Sequence, residues 1–103
     1  LVYTAVASDE MDVVLAYSTD GRIEEFDLVT LEDDMNFFPP YDASPVVSND
    51  ALERFPEIDG LIERLVGQID VDEMLRMNYE ADVQMKEPAI VAKEFLEANN
   101  YFK

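Results

Sequence analysis

The run Asp12-Val13-Val14-Leu15-Ala16-Tyr17-Ser18-Thr19-Asp20-Gly21-Arg22 decides how this chain is read. A short continuous apolar run with two valines, closed by a polar turn, is the pattern of a buried strand. Thr19-Asp20-Gly21 supplies the turn, with Gly21 able to take positive φ and Asp20 expected to accept from backbone amides. Tyr17 then stands at the end of a strand, beside the hydrogen-bonding groups of Ser18, Thr19, Asp20 and Arg22. Carboxyl ends of strands are where open α/β sheets hold ligands. A tyrosine is also a good strand former whose ring can simply fill core, so two readings stand at this position.

The second informative stretch is Phe37-Phe38-Pro39-Pro40-Tyr41-Asp42. A Pro-Pro pair bars regular hydrogen bonding and stiffens the approach to Tyr41, which preorganises the ring. The plainer alternative is that Phe37, Phe38 and Tyr41 together plug a sheet edge. Two tyrosine faces turned to one another would suit a cation, at roughly 0.5–2 kcal/mol per contact and more where water is excluded.

Around these stretches the elements change period. Leu1 to Ala7 reads as the tail of an element, a helix, broken by Ser8, Asp9 and Glu10. Phe26, Leu28, Val29 and Leu31 suggest a second strand, closed by Glu32-Asp33-Asp34, and Val46-Val47 a third after Pro45. The second half turns helical. Ser48 or Asn49 caps a helix over Asp50 to Phe55; Ile58, Leu61, Ile62, Leu65 and Val66 recur at helical spacing up to Gly67. Asp70 or Asp72 caps another, carrying Met74, Leu75, Met77 and Asn78. Pro88 suits the first residue of a last helix that Asn99 and Asn100 stop. The expected class is α/β or α+β, one domain with short strands in the first half and helices in the second that cover a small sheet.

Composition narrows the function. With 24 Asp and Glu against 7 Lys and Arg, the net charge of −17 repels phosphate backbones and anionic membranes, so no nucleic acid or lipid-headgroup partner is expected. The absence of His and Cys excludes disulfides, thiolate catalysis and Cys/His zinc sites. Glu24-Glu25 and Glu32-Asp33-Asp34 lack both the alternating spacing of a calcium loop and the apolar setting of an acid–base pair, and read as solvated turns. Arg22 is expected in a solvated ion pair with Asp20, and Met74, Met77 and Tyr79 in core. No catalytic residue, metal or cofactor is expected, and the chain is read as a non-enzyme. No apolar run approaches the roughly 18–20 residues of a membrane span. Because the chain begins at Leu1, it is read as a mature or excised fragment.

The run from Asp12 to Ile23 resembles substrate-binding proteins of ABC importers for glycine betaine, carnitine and choline. So do Phe26 to Asp34, Phe37 to Val47 and the closing stretch Glu87-Pro88-Ala89-Ile90-Val91-Ala92-Lys93-Glu94-Phe95-Leu96. The resemblance spans nearly all of this chain and the C-terminal part of a family binding domain. It implies part of a two-lobed type II periplasmic-binding fold that closes on a quaternary ammonium solute and docks on an ABC permease outside the cytoplasm, held there by a lipid anchor or by fusion to the permease. Residues 1–25 would be the end of the second lobe and the hinge crossing, and residues 26–103 part of the first lobe. Tyr17 and Tyr41 match two positions of an aromatic cage around the trimethylammonium head, with Ser18, Thr19 and Asp20 as further ligand-binding candidates. A fragment of such a fold is expected to expose a sheet edge and to self-associate or exchange strands. The alternative function is an acidic protein-interaction module docking through the Phe37–Tyr41 loop.

Overall fold

Pro88 and Ser48 mark where the chain commits to helix. In the computed structural model, which describes residues 1–102, helices run over Val2–Ala7 (α1), Arg22–Glu25 (α2), Asn49–Arg54 (α3), Glu57–Glu63 (α4), Val71–Asp82 (α5) and Pro88–Ala98 (α6). Ser48 caps α3 as expected, its hydroxyl accepting from the Ala51 amide at 3.2 Å. Pro88 is the first residue of α6, where its missing N–H removes no intrahelical bond. Asn99 closes that helix, its amide side chain donating to the Phe95 carbonyl at 2.8 Å, and Asn100 turns the chain with a φ of 61°. Beyond α4 the chain continues in turns to Gly67, whose φ of +71° lies in the left-handed region that glycine tolerates.

The expected strands are absent among the described residues. The runs 12–17, 26–31 and 46–47 carry no strand, and so there is no sheet for the helices to cover. A strand exists only when a neighbour accepts and donates its ladder bonds. None of the three runs pairs with another, and Val13, Leu15, Val29, Leu31 and Val46 all remain exposed. The apolar pattern is real, but among these residues nothing covers it. Phe26 lies at the end of a helical turn, α2, which the spacing does not announce.

The chain divides into two compact units. Leu1–Thr30 and the residues from Val71 onward make one; Leu31–Asp70 make the other. In the first, α5 packs against both α2 and α6. Its core is Tyr3 of α1, Ile23 of α2, and Val91 and Phe95 of α6, all buried. Val91 and Phe95 lie four residues apart on one face of α6, and burying such side chains contributes roughly 1.5–3 kcal/mol each. Lys86, in the α5–α6 connection, reaches Glu80 of α5 at 3.0 Å and Glu94 of α6. Arg76 pairs along α5 with Glu73 at 2.6 Å and with Glu80. In the second unit α3 packs on α4, no side chain is fully buried, and Arg54 pairs with Asp50 one turn back.

Gly21 has a reason different from the one its sequence suggests. Its φ of −58° and ψ of −20° are helical, so no positive φ is needed. A Cβ there would instead stand 2.6 Å from the Tyr79 Cα and 2.7 Å from the Tyr79 amide nitrogen. Glycine is what lets α2 approach the backbone of α5.

Gly21→Ala is therefore expected to cost about 1–3 kcal/mol, since backbone must move to admit the methyl group. Gly60→Ala, inside α4 with nothing within 4 Å, is expected to be neutral or to stabilise by roughly 0.5–1 kcal/mol. Denaturant titration of both variants checks this; equal effects would contradict the packing reading.

Candidate functional site

Tyr17 is held by its backbone and presented by its ring. In the first unit, the Tyr17 amide donates to the buried Tyr3 hydroxyl at 3.3 Å, and the Tyr17 carbonyl accepts from the Asp20 amide at 3.1 Å. The residue is 64% exposed. The core-filling reading therefore fails at this position: what is buried near Tyr17 is Tyr3, not Tyr17.

Asp20 is the centre of the local electrostatics. Its carboxylate accepts from the Arg22 Nε at 2.9 Å, the Arg22 Nη2 at 2.8 Å and the Arg22 backbone amide at 3.1 Å. The Tyr3 hydroxyl interacts electrostatically with this carboxylate. The Arg22 guanidinium in turn lies 4.9 Å from the centre of the Tyr3 ring, within cation–π range. Asp20 is thus the turn organiser expected from sequence. Its pair with Arg22 is less solvated than expected, for the Asp20 side chain retains only 14% of its accessible surface while Arg22 keeps 46%. The hydrogen bonds from Arg22 hold the Asp20 carboxyl below its ordinary range, burial opposing them. Burial, assisted by the neighbouring carboxylate, raises the Tyr3 phenol.

One more contact fixes this loop from a distance. Asn78 of α5 donates through Nδ2 to the Thr19 carbonyl at 2.7 Å, across 59 positions of chain. Sequence reasoning singles out neither Tyr3 nor Asn78 as part of the site. Asn78 does carry a signal: it lies four residues after Met74, on the same face of an otherwise apolar stripe. A polar amide at such a place needs a partner. Tyr3 carries none, since a tyrosine in a short apolar segment reads as packing.

In the second unit Asp33 supports the approach to Tyr41, a role its sequence setting does not suggest. Its two carboxylate oxygens accept from the Phe37 and Phe38 amides, each at 2.9 Å, and so fold the loop that leads into Pro39-Pro40. Phe37 and Phe38 stack edge to face with centroids 5.1 Å apart. Phe37 and Tyr41 are 81% and 84% exposed, so these aromatics plug no sheet edge among the described residues. The acidic turn at 32–34 is therefore solvated as expected, but Asp33 within it is structural. Ser18 is exposed, while Thr19 and Asp20 are partly buried. No group of three or more acidic, His or Cys residues able to hold a metal occurs among the described residues, and no helix is long and apolar enough to cross a membrane.

Residues 1–98 match the family described as the substrate-binding domain of ABC-type glycine betaine transport systems. Over its full length the chain is 52% identical to the carnitine transport binding protein OpuCC of Listeria monocytogenes, of which it covers 33%. It is 36% identical over 96 residues to a glycine-betaine-binding protein of Pseudomonas aeruginosa, covering 93% of this chain and 31% of that protein. A crystal structure described as that of a glycine betaine/carnitine/choline ABC transporter superposes on the whole chain with a TM-score of 0.88 and 52% identity, over 38% of the solved chain. The chain thus spans about a third of the length of the curated relatives it matches.

The Asp20 hub makes a pH prediction. A carboxyl whose pKa is lowered in the folded state contributes stability that is complete above its ordinary value of 3.8, and that is lost as pH falls through the lower folded value. The native protein should consequently lose more stability on acidification than its Asp20→Asn variant. Denaturant midpoints at neutral pH and below 3.8 measure the difference; parallel losses would contradict it.

Proposed function

The chain belongs to the family of substrate-binding domains of ABC-type glycine betaine transport systems, and from that premise we propose that the whole protein binds a quaternary ammonium compatible solute and delivers it to an ABC permease on the outer side of the membrane. Glycine betaine, carnitine and choline form the substrate class. Tyr17 and Tyr41 supply two aromatic faces of the cage around the methylated cation. Ser18, Thr19 and Asp20 belong to the loop that carries the first ring. The single observation that carries this reading is that both tyrosines keep exposed rings on loops fixed by aspartate, Asp20 in one unit and Asp33 in the other.

The chemistry favours that ligand class. A trimethylammonium group has no N–H to donate, so hydrogen-bond acceptors cannot select it. A ring face attracts it by cation–π interaction, roughly 0.5–1 kcal/mol in water and about 2 or more once water is excluded. Apolar contact with the methyl groups adds shape selection. Closure of two lobes over the solute would remove water and strengthen the attraction. Ligand binding would then act on the permease by selecting the closed form.

A second reading keeps one specific observation. The Phe37–Tyr41 loop exposes three aromatic rings in sequence, which a protein partner could also cover.

Calorimetric titration of the whole protein with glycine betaine, carnitine and choline separates the two. Tyr17→Ala and Tyr41→Ala should each weaken binding of the preferred solute by at least tenfold, the loss of roughly 1.4 kcal/mol or more. Phenylalanine at either position should retain most of the affinity, because the ring face survives. Unchanged affinity in both alanine variants would overturn the cage, and a loss confined to protein capture at Tyr41 would favour the partner-docking loop.

A further inference from the structure

Deepening that reading of Tyr17, we infer that Tyr3, Asp20 and Asn78 are positioning residues that set where the Tyr17 ring stands, and so set affinity without touching the ligand. Three contacts carry the inference, all inside the first unit. The Tyr3 hydroxyl takes the Tyr17 amide at 3.3 Å. The Asp20 amide binds the Tyr17 carbonyl at 3.1 Å. Asn78 holds the Thr19 carbonyl at 2.7 Å. Thus both backbone groups of Tyr17, and the carbonyl two residues on, are tied to groups that lie on α1, in the turn and on α5.

The chemistry of each group matches positioning better than recognition. Tyr3 is only 5% exposed, so its ring cannot meet a solute, yet its hydroxyl is the atom that takes the Tyr17 amide. The Asp20 carboxylate accepts from three donors of Arg22, which take most of the roughly four acceptor sites of a carboxylate. A side chain so engaged has little left for a ligand, and a cation brought to it would compete with the guanidinium. The Asn78 amide is directed at backbone. Gly21 completes the arrangement, because its missing Cβ lets the turn sit against the α5 backbone beside Asn78. Cation–π attraction depends steeply on where the ring face lies, so a loop free to shift by a fraction of an ångström would forfeit part of it.

The test uses the whole protein, titrated calorimetrically with glycine betaine, carnitine and choline, with the thermal midpoint of the ligand-free protein read in parallel. Tyr3→Phe keeps the buried ring and removes only the hydroxyl. Asn78→Asp keeps shape and replaces the donor by an acceptor facing a carbonyl; Asn78→Gln restores the amide. Tyr3→Phe and Asn78→Asp should each weaken binding of the preferred solute roughly three- to tenfold, the span expected for one net hydrogen bond, with Asn78→Gln recovering part of the loss. Lys86→Met, which loosens the α5–α6 junction outside this network, should lower the thermal midpoint and leave affinity unchanged. If Tyr17→Ala loses binding while Tyr3→Phe and Asn78→Asp stay within twofold of the parent, the positioning inference is overturned and the cage stands. If Lys86→Met weakens binding as much as they do, the effect is general destabilisation and the inference is again overturned. If Tyr17→Ala itself leaves affinity unchanged, it is the underlying site reading that fails.

Discussion

A single carboxylate organises the part of this chain that matters most. Asp20 gathers the Arg22 guanidinium in a two-pronged pair and takes the amide that starts α2, and that guanidinium lies over the ring of buried Tyr3. Each of those partners belongs to something larger. Arg22 begins the helix that rests on α5, Tyr3 is the buried face of α1, and the turn between them carries Tyr17. Charge-assisted, bidentate geometry is both stronger and more directional than a neutral hydrogen bond, which is why a short loop without regular structure can hold one conformation. In a chain of net charge −17, the cationic partner of that carboxylate is one of only 7 Lys and Arg. Arg54, Arg76, Lys86 and Lys93 likewise pair with acidic neighbours on or between helices. The scarce positive charge serves structure first.

The two units solve the same problem with different chemistry. In one, an exposed tyrosine ring is supported from beneath by a buried tyrosine and from the side by an asparagine on a neighbouring helix. In the other, Asp33 folds back on two consecutive amides, and a proline pair stiffens the backbone between them and Tyr41. Neither ring is fixed by burial. Both loops are fixed through backbone, and both tyrosines stay exposed. That economy suits a binding protein of this family, in which aromatic surface would be the working material and hydrogen bonds the scaffold.

How much of this is legible in the sequence depends on range. Local signals read well: the Ser48 cap, Pro88 at the head of α6, the asparagine stop after it and the turn built on Asp20 all arise from interactions within four residues. The pattern at 12–17, 26–31 and 46–47 is right as apolar, and it forms no strand among the described residues because pairing is decided by a neighbour and none lies among them. Gly21 stands out in the sequence for its conformational freedom, when the approach of Tyr79 is what requires it. Family membership is visible in the motifs around Tyr17 and Tyr41. Tyr3 and Asn78 are not legible as site residues, since their partners are 14 and 59 positions away and no local spacing reports such a contact.

The central claim is that the rings of Tyr17 and Tyr41 are ligand surface held in place by backbone clamps. The most direct measurement is a crystal structure of the whole protein with glycine betaine or carnitine bound. The quaternary nitrogen should lie within about 6 Å of both ring centroids, with the Tyr3 hydroxyl still on the Tyr17 amide and Asn78 still on the Thr19 carbonyl. A nitrogen enclosed by other side chains, with either ring turned away from it, would contradict the claim.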